Sequence, residues 1–145
     1  MKNQINKTIV IMSLFMMFAI VSVQAQTTSG EVNIPFEFTA GKSHVKAGTY
    51  VITQRAGNLL AINNQEGKTV ALVNAPLTIG SRDAKSGVRL VFNQYDTEYF
   101  LSQVWLRVDT GKQLFTTDAE SRTAREYKLA KRNASPRRVD IAMTR

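Results

Sequence analysis

Between residues 31 and 38 the chain alternates, with Val32, Ile34, Phe36 and Phe38 on one side and Glu31, Asn33, Pro35 and Glu37 on the other. Successive side chains of an extended strand point to opposite faces, so this period of two predicts a strand buried along one side. Pro35 has no N–H to offer a ladder, which predicts an edge position or a bulge. A polar connection over residues 40–48 follows, and then three β-rich segments at 49–54, 59–62 and 69–75. The stretches between them, Ala56-Gly57-Asn58 and Asn63 to Gly67, are rich in residues that tolerate left-handed turns. That pattern predicts a meander. Residues 76–87 show no regular period.

Residues 88–95 and 99–108 predict an antiparallel hairpin, matched in length across the polar link Asp96-Thr97-Glu98. Strict alternation places Phe100, Val104, Leu106 and Val108 on one side of its second strand. Tyr99, Leu101, Gln103, Trp105 and Arg107 then share the other side. Asp109-Thr110-Gly111 predicts a turn into a short strand at 113–116.

The period changes at Thr117, where Thr117 and Glu120 have the spacing of a capping box. Ala119, Thr123, Tyr127, Ala130 and Ala134 recur at helical spacing, and residues 133–136 end the helix. Val139, Ile141 and Met143 alternate again and predict a closing strand. These elements predict a mostly β chain, an antiparallel β-sandwich or partly open barrel of roughly 7–9 strands. The single helix of the C-terminal region is expected to cover an edge or an open end.

The N-terminus changes the picture of where this domain works. Lys2 and Lys7 precede a run from Ile9 to Val23 that is apolar except for Ser13 and Ser22, followed by Val23-Gln24-Ala25. A basic start, an apolar run and small residues before a cut are the layout of a secretory signal peptide. The run is about 15 residues, short of the roughly 20 that a spanning helix needs. Residues 1–25 are therefore expected to be a signal peptide cleaved after Ala25. Residues 26–145 form a single β-rich domain, secreted or periplasmic, with no transmembrane segment in the mature chain.

The formal charge is +8. Basic and acidic residues balance between 26 and 121, and once Lys2 and Lys7 are removed the whole surplus lies in residues 122–145. Arg122, Arg125, Lys128, Lys131, Arg132, Arg137 and Arg138 make up most of it. This band is either a solvated face or a contact for an acidic partner or an anionic polymer. Export argues against nucleic acid as the physiological partner. The chain has no Cys, which excludes disulfides and thiol chemistry.

Residues for catalysis are sparse. His44 is the only His and has no partner evident in sequence. Glu31 and Glu37 lie too far apart along a strand to act as a close pair. Asp96, Glu98 and Asp109 sit in turns without the dense ligand series of a calcium loop. No nucleophile elbow or phosphate loop occurs. No catalytic residue, metal ligand or cofactor is assigned. Tyr95, Tyr99 and Trp105 are the remaining candidates, either as core or as an aromatic face for a glycan or a protein.

The runs Val32-Asn33-Ile34-Pro35-Phe36-Glu37-Phe38 and Ala47-Gly48-Thr49-Tyr50-Val51-Ile52 resemble those of small exported β-rich proteins common in acidobacterial genomes. Leu90-Val91-Phe92-Asn93-Gln94-Tyr95 and Tyr99-Phe100-Leu101-Ser102-Gln103-Val104-Trp105 extend the likeness over most of residues 26–145. The resemblance implies an architecture and a compartment, and carries no activity or catalytic residue. The expected function is noncatalytic, through a protein partner or a homo-oligomer. The alternatives are a module binding a glycan or an anionic polymer and, last, an enzyme.

Overall fold

The structure, a computed structural model, describes residues 28–81, 87–130 and 134–144. The expected signal peptide and cleavage site lie outside the described residues, as do Lys131 and Arg132. Among the described residues are eleven strands, in two sheets, and one helix. The first sheet runs β1 (Ser29–Ile34), β4 (Gly48–Gln54), β5 (Leu59–Asn64), β6 (Thr69–Asn74), all antiparallel neighbours. The second runs β11 (Arg137–Ala142), β8 (Arg89–Tyr95), β9 (Glu98–Trp105), β10 (Thr110–Gln113), β7 (Leu77–Gly80). The small β2 (Phe38–Ala40) and β3 (Ser43–Val45) hairpin attaches to β9 through Thr39 and Phe100. The helix α1 spans Asp118–Ala130. No described helix is long and apolar enough to cross a membrane.

The architecture is the β-sandwich alternative. Val32, Ile34, Ile52, Leu60 and Ile62 of the first sheet bury their side chains in one core with Leu90, Phe92, Leu101 and Val104 of the second. The two sheets meet at one corner, where Glu31 and Thr144 exchange backbone hydrogen bonds of 2.8 Å in each direction.

The continuous strand expected over residues 31–38 is divided. β1 ends at Ile34, Pro35 interrupts the ladder, and β2 begins at Phe38 in the other sheet. All four apolar residues still face the core, because both sheets turn their inner faces to it. Phe36, at the crossing, stacks on Tyr99 with ring centroids 3.8 Å apart and meets Phe92 edge-on at 5.2 Å.

There are more strands than periodicity reveals, because β2, β3 and β7 are too short to show a period. β10 occupies Thr110–Gln113, so the expected turn at Thr110-Gly111 is the start of a strand. The β8–β9 hairpin forms as expected, with Asp96 in the left-handed region (φ 57°) at its tight turn. Aspartate tolerates that conformation better than most residues.

Candidate functional site

The second strand of that hairpin is not a simple alternation. Val91 pairs with Gln103 and Phe92 with Leu101, so Ser102 is an extra residue on β9. A bulge of this kind shifts the faces by one position. Tyr99 and Leu101 before it, and Val104 and Leu106 after it, all pack into the core. Phe100 and Trp105 turn to the outer face. The expected face of Tyr95, Tyr99 and Trp105 is therefore split. Tyr99 points inward onto Phe36, while Tyr95 and Trp105 lie on the outer side of the sheet, at opposite ends.

Trp105 is only 4% exposed. Its ring is covered by Arg89 from the paired position on β8, with the guanidinium carbon 4.5 Å from the ring centroid. The indole Nε1 donates to Gln103 Oε1 at 3.0 Å, and the same oxygen accepts from Arg138. Asp140 completes the cluster, 3.4 Å from Arg89 Nε and 3.7 Å from Arg138 Nε. In this arrangement Trp105 has no free ring face on which a sugar can stack. Arg138 remains exposed at the surface while pairing with Gln103 and Asp140.

The helix lies on the outer face of β8, and does not cover an edge or an open end. Thr117 Oγ1 accepts the Glu120 N–H at 3.1 Å, which forms one half of the expected capping box. The other half does not form because the Glu120 carboxylate turns to the sheet. It accepts from Asn93 Nδ2 at 2.8 Å and from the Tyr95 hydroxyl at 3.3 Å. Glu120 is buried, and its place in the first helical turn sets its charge against the favourable end of the helix dipole. Tyr127 adds an edge-on contact with Tyr95 at 5.7 Å. The buried side of α1 therefore runs through Glu120, Thr123, Ala124 and Tyr127, while Ala119 and Ala130 are exposed. Among the band residues, Arg122, Arg125, Lys128, Arg137 and Arg138 are exposed.

Burial first, and then the Glu120 charge and hydrogen bond, push the Tyr95 phenol from 10.0 up to about 12. Between those two values the folded protein keeps a proton that the unfolded chain has lost. Tyr95 therefore contributes stability that is complete below pH 10 and is lost as the pH rises toward 12. Absorbance titration should show a late tyrosine step near pH 12 that is missing in Tyr95→Phe. In Glu120→Gln that last step should move part of the way back toward 10. Glu120→Ala leaves the Asn93 amide and the Tyr95 hydroxyl without their acceptor, and is expected to cost about 1–3 kcal/mol in urea unfolding. An unshifted late ionisation in Glu120→Gln would show that Glu120 does not govern Tyr95.

His44 Nε2 lies 3.2 Å from Glu37 Oε2 on an exposed part of the β2–β3 hairpin. No group of three or more metal-binding side chains occurs among the described residues. A shallow groove of about 260 Å³ separates α1 from the β8–β9 turn, bordered by Asp96, Glu98, Glu126 and Tyr127.

Sequence reasoning missed the exposed apolar positions on β6 and β7. The two strands are consecutive in the chain, yet each is the last strand of a different sheet. Leu72 on β6 is 54% exposed and Leu77 on β7 is 45% exposed. Residues 69–81 contain no charged side chain, which was a readable signal in so basic a chain.

The fold and these surfaces define an antiparallel β-sandwich domain with one helix laid on its outer face. No family model matches the chain, and neither does any curated protein or solved structure.

Proposed function

We propose that this is a noncatalytic exported protein that acts by associating with protein, either a partner or further copies of itself. The observation that carries this reading is the edge strand β7, which no described strand pairs on its outer side, in an uncharged stretch, residues 69–81, where Leu72 and Leu77 are exposed. Open strand edges with apolar side chains favour pairing with another chain. The burial of Trp105 under Arg89 weighs against glycan stacking. The anionic-polymer reading keeps Arg122, Arg125, Lys128, Arg137 and Arg138 as exposed cations, and it predicts binding that fades with salt.

The test is native mass measurement of the protein recovered from the cell envelope and from the medium, together with sequencing of its N-terminus. The expected result is a chain beginning at Gln26 in a discrete assembly of fixed stoichiometry. A monomer in both fractions, held by an anionic resin and released by moderate salt, would favour polymer binding instead.

A further inference from the structure

We propose that two copies of this chain join through β7, strand to strand and antiparallel, about a two-fold axis centred on Ile79. This rests on the association reading above and gives it a surface and an occupant.

The backbone of β7 determines which groups are free. Ser81 donates its N–H to the Asp109 carbonyl at 3.0 Å, and the register continues with Gly80 opposite Thr110 and Ile79 opposite Gly111. Opposed residues in an antiparallel ladder alternate between exchanging two hydrogen bonds and exchanging none. Ser81, Ile79 and Leu77 therefore bond inward to β10. Thr78 and Gly80 turn their N–H and C=O groups away from it. Both residues are exposed, and no described strand pairs with β7 on that side.

Soluble proteins guard such edges with lysines, prolines or bulges. β6 has a register shift opposite Asn63, and Pro76 precedes β7. The strand itself, Leu-Thr-Ile-Gly, carries no guard. It is also self-complementary. With Ile79 on the two-fold axis, Thr78 of each copy lies opposite Gly80 of the other, and each pair exchanges both hydrogen bonds, so every outward group is used. A contact of this kind is isologous and closes as a dimer. Without Lys2 and Lys7 the net charge of +8 becomes +6 on residues 26–145, concentrated in residues 122–145, and the uncharged residues 69–81 lie outside that basic stretch, where two copies can approach. A Cβ built at Gly80 would meet only the Asp109 carbonyl oxygen, at 3.9 Å, so the intramolecular side does not crowd the strand.

The absence of cysteine makes the register testable. Ile79→Cys places one thiol of each copy at the axis, where opposed non-bonded Cα atoms lie about 4.5 Å apart, within the span of a disulfide. Mild oxidation of this variant should give a covalent dimer. Leu129→Cys, at a residue 84% exposed on α1, should remain largely monomeric. Thr78→Pro removes an outward N–H and leaves the β10 ladder intact. It should raise the dimer dissociation constant at least about ten-fold, with an unchanged near-ultraviolet circular dichroism spectrum. If Ile79→Cys crosslinks no faster than Leu129→Cys, or Thr78→Pro dimerises like the parent, β7 is not the joint. An assembly that persists through another surface then overturns this inference and leaves the association reading standing. A monomer without any protein partner overturns both.

Discussion

Phe92→Ala is expected to lower the unfolding free energy by about 3–5 kcal/mol, a large share of the stability of a domain this size. Phe92 is fully buried on β8, opposite Leu101 at the bulge. Its ring meets Phe36 at 5.2 Å and Phe38 at 5.3 Å, both edge-on. Phe36 and Phe38 bracket the crossing of the chain from one sheet to the other, so the aromatic group ties that crossing to the central hairpin. Removing Phe92 leaves a cavity that three strands border, and a closed sandwich cannot collapse far to fill it. Urea unfolding should show a lower midpoint with an unchanged slope. A loss below about 1 kcal/mol would mean that the neighbouring rings close the gap.

Gly111→Ala is the second large effect, and it arises from crowding instead of loss. A Cβ on Gly111 would lie 2.5 Å from Trp105 Cδ2, 2.7 Å from Cε2 and 2.8 Å from Cε3. No rotation of a methyl group relieves that overlap, so either the indole or β10 must move. The expected cost is about 3 kcal/mol, at the upper end for overpacking. Trp105 is the only tryptophan, so its emission should shift to the red as the ring leaves its place beneath Arg89. Combining Gly111→Ala with Trp105→Phe should recover part of the loss, because the smaller ring vacates the contested volume. Unchanged emission and stability in the single variant would show that β10 yields without cost.

Much of this fold is legible in residue order. The alternation of Val32, Ile34, Phe36 and Phe38 marks core positions correctly, even though the chain changes sheets at Pro35. The β8–β9 hairpin and the helix that begins after Thr117 are legible because their turn and cap are written in local chemistry. The bulge at Ser102 is not, since a single extra residue leaves no mark on composition yet puts Tyr99 and Trp105 on opposite faces. Glu120 shows the same limit at the candidate site. Its spacing from Thr117 satisfies the local capping pattern, but Asn93 and Tyr95, more than twenty residues away in sequence, compete for its carboxylate and win. The outer edge of β7 depends on topology, because only the strand order shows that Thr78 and Gly80 have no neighbouring strand among the described residues.

The paired hydrogen bonds between Glu31 and Thr144 have a consequence for biosynthesis. β1 is among the earliest described segments to leave the ribosome, and its outer edge is completed by nearly the last. β11, which pairs with β8 from Arg89 to Gln94, is equally late. A growing chain can form the β4–β5–β6 meander and the central hairpin, but it cannot close the corner between the sheets until Thr144 has been made. Sandwiches held by such distant pairings fold slowly compared with helical domains. A chain cut at Arg137 loses both the β11 ladder on β8 and the Thr144 partner of Glu31, so truncation there is expected to leave the corner open.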